Sequence, residues 1–386
     1  MNYVSVSPHF PPNYYPFCVR LNGLGVNVLG LADDSYDSLR PELRHALREY
    51  YKVTSMANYD ELVRAVGYFI HHYGKIDRLE SHNEYWMESD ARLRTDFNIH
   101  GLQNDGLAQV RRKSEMKKIF NKAGIPTAPG MLIEDSTQAC ACAAEVGYPI
   151  IIKPDIGVGA DKTYKIEREA DLKAYLEKKT TSVFFLEKFI EGIIITFDGL
   201  TDQNGCIVFS SSAQYSEGVM ESVVYDHDVF FYTLRGIAAD IEELGYKIVD
   251  TFSVCERFFH FEFFRTPDDG LLALEINLRP PGGTILDMMN FANDIDLFTE
   301  YANVLVQNRF IAEYSYPYHV AHIGRKFSKR YLHRHEEILA RFGKMVVQHG
   351  FLPDVFAPVM GNYFYLVRAP GLDDIYDMED YIRAKD

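Results

Sequence analysis

Between Phe258 and Leu278 polar and apolar side chains alternate on both sides of Thr266-Pro267-Asp268-Asp269-Gly270. Aromatic and branched residues around a Pro-Asp-Gly centre predict two antiparallel strands joined by a turn. With a period of two, His260 and Glu262 share one face of the first strand; Ala273, Glu275, Asn277 and Arg279 share one face of the second. Leu272, Leu274, Ile276 and Leu278 form the opposite, apolar face. Acids therefore stand where a buried sheet face would carry apolar residues, and a metal and phosphate site explains them.

Upstream, strand-like and helix-like patterns alternate. Tyr3 to Val6, Val26 to Leu31, Tyr50 to Val53 and Ile76 to Glu80 read as strands, with helices over Phe17 to Leu24 and Tyr59 to Tyr73, the latter stopped by Gly74. Such alternation predicts a doubly wound parallel sheet over residues 1–110, whose ligands gather at the carboxyl ends of the strands. Ser7, His9 and Phe10 fall at one such end, and Ser81, His82, Asn83 and Glu84 at another. No G-x-G-x-x-G follows the first strand, which argues against a dinucleotide here.

Further along, Ser136 to Val146 and Glu169 to Lys179 read as helices, and Ile150 to Lys153 and Val183 to Phe189 as strands. Ile193 to Phe197 and Cys206 to Ser210 read as strands around Asp202-Gln203-Asn204-Gly205, and a helix is expected over Phe231 to Leu244. Beyond Glu313, strands at Tyr318 to Arg325, Met345 to Val347 and Tyr363 to Val367, with helices Arg334 to Phe342 and Leu372 to Ile382, suggest a small α/β appendage.

Composition narrows the function. A chain of 386 residues with a formal net charge of -15 suits a multidomain globular protein, and disfavours nucleic acid or anionic membrane as partner. Five cysteines without paired zinc spacing, no basic leader and no long charge-free apolar span lead to the expectation of a cytoplasmic protein. An anionic ligand must then find a local basic patch. Two are candidates: the helix start Arg111-Arg112-Lys113-Ser114-Glu115-Met116-Lys117-Lys118, which ends at Ala123-Gly124-Ile125-Pro126, and Lys153, which closes a strand ahead of Gly157 and Gly159. Glycines let backbone N–H groups turn toward an anion and the lysine adds a point charge. The loop lacks the G-x-x-x-x-G-K-[ST] pattern of a Walker A motif.

In order and spacing, these pieces over residues 1 to about 310 resemble the ATP-grasp superfamily, carboxylate–amine ligase type. The resemblance implies a pre-ATP-grasp domain over 1–110, a small grasp lobe over 111–192 and a large lobe with the metal site over 193–312, followed by the appendage at 313–386. It implies that ATP is held by Lys113, Lys153, Gly157, Gly159 and the hinge Glu187, Lys188, Phe189 and Ile190, whose backbone meets adenine. Glu262, Glu275 and Asn277 would ligate Mg²⁺, two ions with Mn²⁺ as a substitute, while Arg279 and Lys153 would act on the transferring phosphate. Hard Mg²⁺ takes oxygen ligands, and phosphoryl transfer asks chiefly for positioning and charge neutralisation. Relatives carry a ribose-binding glutamate beyond the hinge; here Gly192-Ile193-Ile194-Ile195-Thr196 stands there, leaving Glu191 or Asp198 to serve.

The expected activity is ATP-dependent ligation of a small carboxylate to an amine, such as an amino acid, through an acyl phosphate. A homodimer is among the expectations. The alternative is an ATP-binding regulatory or assembly subunit without turnover. Asp287, Met288 and Asn290, just past the glycines, are candidates for substrate contact.

Overall fold

The computed structural model describes residues 1–157, 162–178, 183–216 and 226–385. Four strands, β1 (Asn2–Val6), β2 (Asn27–Ala32), β3 (Glu49–Lys52) and β4 (Arg78–Glu80), form a parallel sheet in the order β3-β2-β1-β4. Helix Tyr59–Tyr73 buries Leu62, Ala65, Val66 and Phe69, one stripe at helical spacing, and stops at Gly74 with φ 82°. Helix Tyr15–Gly23 turns Phe17, Cys18 and Leu21 inward.

A second sheet, β5 (Gly130–Ile133), β6 (Ile150–Lys153), β7 (Tyr164–Ile166) and β8 (Phe184–Lys188), is antiparallel in the order β5-β8-β6-β7. Helices Ser136–Val146 and Glu169–Lys178 accompany it, the first capped by Asp135, which accepts from the Gln138 N–H. Helix Lys113–Ala123 ends at the left-handed Gly124, and the turn that follows is pinned to the third sheet by Ala273 N–H donating to Pro126 O at 2.8 Å. One helix thereby joins two sheets.

The third sheet holds β9 (Ile193–Thr201), β10 (Ile207–Ser211), β11 (Ala213–Tyr215), β12 (Phe230–Thr233), β13 (Phe258–Arg265), β14 (Leu271–Asn277), β15 (His319–Arg325), β16 (Val346–Phe351) and β17 (Tyr363–Ala369). Its order is β14-β13-β9-β11-β12-β15-β17-β16, with β10 on β9. The segment 313–386 thus adds three strands to the large sheet and folds Ile338, Phe342, Ile375 and Met378 against it. Helices Ile285–Asn293 and Leu297–Gln307 cover the other face, where Leu286, Met289 and Tyr301 share a core with Phe17, Leu21 and Phe258. That core fixes the parallel sheet against the large one.

Two sequence expectations fail locally. Phe231 to Leu244 is not a helix: Phe230–Thr233 is strand β12, and the helix runs from Ala239 to Thr251. Phe230 and Tyr232 enter one apolar cluster and Phe231 another, so a two-faced strand uses all three rings. In the hairpin, a register shift between Glu262 and Phe263 takes up one residue of β14. Ala273 therefore leaves the polar face and packs with Phe263 and Ile276, while Leu274 stays outside that cluster.

Candidate active site

The polar face of β9, β13 and β14 is set by register. His260 lies opposite Asp198 on one side and Asn277 on the other; Glu262 lies opposite Thr196 and Glu275. Two carboxylates directly across a strand pair repel, so the fold must supply counter-charge. It does so on each. His260 Nε2 lies 3.1 Å from Glu262 Oε1, and its Nδ1 contacts the wholly buried Asp198, which also accepts from Thr196 Oγ1 at 2.5 Å. Burial alone would lower the His260 imidazole, but Asp198 and Glu262 carry it up to about 9. Burial would raise Glu262, but the His260 hydrogen bond and charge, then Arg279 and Lys113, hold it below the usual carboxylate range.

Glu275 is met by Lys113, whose Nζ lies 3.3 Å from Oε1 and 3.5 Å from Gly157 O. Lys113 and Lys117 are four residues apart on one helix and share its inner face. Lys117 turns to the small sheet, where it contacts Glu187 and donates to Ala128 O at 2.8 Å. Lys153 Nζ sits 2.5 Å from the other Glu187 oxygen. Burial would raise the Glu187 carboxyl; Lys153 and Lys117 bring it down to about 2. Gly130 makes room for this knot, since a Cβ there would stand 2.5 Å from Glu187 Cβ and Leu186 O.

Arg279 leaves the end of β14 and is held on three sides. Its Nε lies 3.2 Å from Glu84 Oε2, Nη1 donates to Pro280 O at 3.0 Å, and Nη2 reaches Asn277 Oδ1 at 3.4 Å. Glu84 comes from the carboxyl end of β4 and also faces Arg111 at 3.7 Å. The strand-end rule therefore finds a partner of the site in the parallel sheet.

The fold thus gathers Lys113, Gly157, Glu262, Glu275, Asn277 and Arg279 on one surface, and Lys153 with Glu187 on the neighbouring sheet. Glu187 presents its side chain to Lys117 and Lys153, while its backbone lies in the ladder of the small sheet. In the hinge, Lys188 N–H donates to Pro129 O and Phe189 N–H to Pro149 O. Among the described residues the Ile190 N–H makes no hydrogen bond. The Lys188 side chain turns away, to Gly147 O and Tyr148 O, and Lys165 stands over the Phe189 ring at 4.2 Å. Gly159 lies outside the described residues. Asp198, one substitute considered for the ribose, is committed to His260 and Thr196 instead.

Sequence reasoning did not single out Lys117 within the basic run, and it missed the Asp198–His260 pairing. Lys117 was visible in the basic run; the Asp198 pairing was not, because it depends on the register of β9 against β13. Two adjacent carboxylates and an amide oxygen, each oriented by a neighbour, make an oxygen donor set that suits a hard divalent cation.

A small antiparallel sheet with a lysine closing one strand, beside a large sheet that carries the acids, is an arrangement that matches the ATP-grasp fold. Residues 112–219 match the family described as carbamoyl-phosphate synthase L chain, ATP binding domain. The chain is 27% identical over 242 residues to an L-arginine-specific L-amino acid ligase of Bacillus subtilis, covering 60% of this chain and 58% of that protein. It therefore aligns with somewhat over half the length of that curated relative. In three dimensions it is similar to an L-amino acid ligase from Bacillus licheniformis (TM-score 0.76, 15% identity), over 99% of this chain and 96% of the other. A biotin carboxylase domain from Hydrogenobacter thermophilus, solved as a dimer with MgADP, ADP and bicarbonate, superposes with a TM-score of 0.71 at 15% identity, over 97% and 89% of the two chains. The relatives of this chain are ATP-grasp ligases. No helix among the described residues is long and apolar enough to cross a membrane.

Proposed function

We propose that the protein is an ATP-dependent carboxylate–amine ligase forming an amide bond through an acyl phosphate. The observation that carries this reading is the apposition of Glu262, Glu275 and Asn277 with Lys113 and Arg279 on one sheet face. It pairs an oxygen donor set for a divalent ion with cations for a triphosphate. On this reading residues 111–192 and 193–312 are the two lobes that enclose the nucleotide. Residues 1–110 wall the acceptor side, and 313–386 extend the large lobe.

Glu262, Glu275 and Asn277 would hold Mg²⁺, which when bound neutralises phosphate charge. Lys153 and Lys113 draw the triphosphate between the lobes, and Ile190 offers its N–H to the base. In the first step a substrate carboxylate oxygen attacks the γ-phosphorus, the bond to the β-phosphate oxygen breaks, and ADP leaves. Arg279, fixed by Glu84 and Asn277, faces the charge on the transferred group. In the second step the amine nitrogen attacks the acyl carbon, the carbon–oxygen bond breaks, phosphate departs, and a proton leaves the nitrogen. No protein nucleophile is required. Amino acids are the substrates to try first, since the relatives include L-amino acid ligases.

ADP release from MgATP, followed with pooled amino acids and mass spectrometry of the products, tests this. Acid- and amine-dependent ADP with an amide product is expected. Nucleotide binding without ADP release in any pool would instead favour a regulatory subunit.

A further inference from the structure

Nearly every acid around this site has a cation built in. Glu84 faces Arg279 and Arg111, Glu187 faces Lys153 and Lys117, Glu262 faces His260, and Glu275 faces Lys113. Asp287, in the first turn of helix Ile285–Asn293, is the exception. It is half-buried, and among the described residues no Lys, Arg or His nitrogen forms an ion pair with it. Its one hydrogen bond comes from an uncharged amide, Asn13 Nδ2, at 2.7 Å to Oδ2.

The loop between Arg279 and Asp287 is anchored carbonyl by carbonyl. Arg279 itself takes Pro280 O, Tyr14 OH donates to Pro281 O at 2.6 Å, and Asn13 Nδ2 donates to Gly283 O at 2.9 Å. Asn13 and Tyr14 belong to the loop after β1, at the carboxyl end of the parallel strands, where ligands of such sheets collect. A guanidinium therefore stands at one end of a fixed arc and an uncompensated carboxylate at the other.

We propose that Asp287, oriented by Asn13, receives the ammonium group of an amino-acid substrate whose carboxylate lies toward Arg279. This rests on the ligase reading and names its acid substrate: an acid carrying a free amino group, in preference to a simple carboxylic acid. One carboxylate beside an N–H donor is a poor metal site, because a divalent cation needs several oxygens, but it suits an ammonium, which brings its own donors. Burial agrees with this, pushing the empty Asp287 carboxyl up to about 7, against the Asn13 hydrogen bond. A cation that arrives with the substrate supplies what the fold withholds, and an acid without the amino group leaves a half-buried carboxylate unpaired.

The test uses the whole protein saturated with MgADP. Titration calorimetry compares L-alanine with propionate, L-leucine with 4-methylpentanoate, and other proteinogenic amino acids with their des-amino analogues, on wild type, Asp287→Asn and Asn13→Ser. Asp287→Asn keeps an oxygen that accepts from Asn13, so a purely structural role survives it. At least one amino acid should bind wild type about tenfold or more tighter than its analogue, a typical gain for a charge-assisted hydrogen bond. Asp287→Asn should erase that preference with MgADP affinity unchanged, and Asn13→Ser should weaken it. No preference in wild type, or a preference that survives in Asp287→Asn, overturns the proposal. ADP release run in parallel separates the two readings. Selective amino-acid binding without ADP release leaves this assignment standing and removes the ligase; ADP release as fast with des-amino acids does the reverse.

Discussion

Replacing Glu187 with glutamine should loosen the small lobe, because it strips two buried lysines of their shared counter-ion. Glu187, Lys153 and Lys117 are 4%, 7% and 5% exposed, so solvent does little to screen them. The amide is nearly isosteric and leaves no cavity; what it removes is charge. Breaking a buried pair by neutralising one partner costs roughly 3–5 kcal/mol, as the other charge stays desolvated. The proton linkage gives a similar size. A carboxyl at about 2 in the fold against roughly 4.3 in the unfolded chain corresponds to about 3 kcal/mol. The sign follows from the depressed value: the contribution is present above the unfolded pKa and is lost as pH falls toward the folded one. Thermal unfolding without ligand at neutral pH should therefore give Glu187→Gln a midpoint lower by roughly 4–6 °C for cooperative melting of the 386-residue chain. Wild type should lose this advantage on acidification while the variant stays flatter. MgADP should stabilise the variant more than the wild type, because phosphate oxygens replace the missing carboxylate beside Lys153. A variant that melts within about 1 °C of wild type at neutral pH, with the same nucleotide response, would refute the idea that Glu187 neutralises these lysines.

Glu275→Gln should cut ADP formation at least ~100-fold while leaving the melting temperature nearly unchanged, as the side chain is a quarter exposed and the amide still accepts from Lys113. His260→Gln should weaken Mn²⁺ binding in the presence of ADP by roughly 10–100-fold, read by electron paramagnetic resonance, because Glu262 loses the group that orients it. In the ligand-free wild type, stability from the raised His260 is complete below the unfolded value and declines as pH rises through about 9. His260→Gln should lack that decline. Gly283→Ala should destabilise by roughly 1–3 kcal/mol in chemical or thermal unfolding, since φ is +63° and the new Cβ would lie 2.0 Å from Met360 Sδ. Adding Met360→Ala should recover part of that loss.

Local signals carried much of this fold. Gly74, Gly124 and the Asp202–Gly205 turn marked element ends correctly because each acts within a few residues. That Lys113 opens a helix, that Lys153 closes a strand and that Glu275 and Asn277 share a strand face could be read for the same reason: spacing along one strand or one helix turn is a sequence property. What stayed hidden depends on pairing between distant segments. Phe230–Thr233 reads as a helix start until β11 and β15 flank it, and Ala273 reads as polar-face until the bulge against β13 shifts it. Nothing within the basic run sets Lys117 apart from its neighbours, yet Glu187, seventy residues on, draws it inside. His260 stands among phenylalanines with nothing local to assign it a role; Asp198, on the neighbouring strand, holds it where it supports Glu262.

The most direct test of the ligase reading follows oxygen. Amino acids labelled with ¹⁸O in both carboxyl oxygens are incubated with the protein, MgATP and an amine pool, and the released phosphate is analysed by mass spectrometry. Attack of the carboxylate on the γ-phosphate predicts that one labelled oxygen passes to each phosphate formed, in step with ADP and amide. Unlabelled phosphate, or tight nucleotide binding with no ADP under any pool, would contradict it.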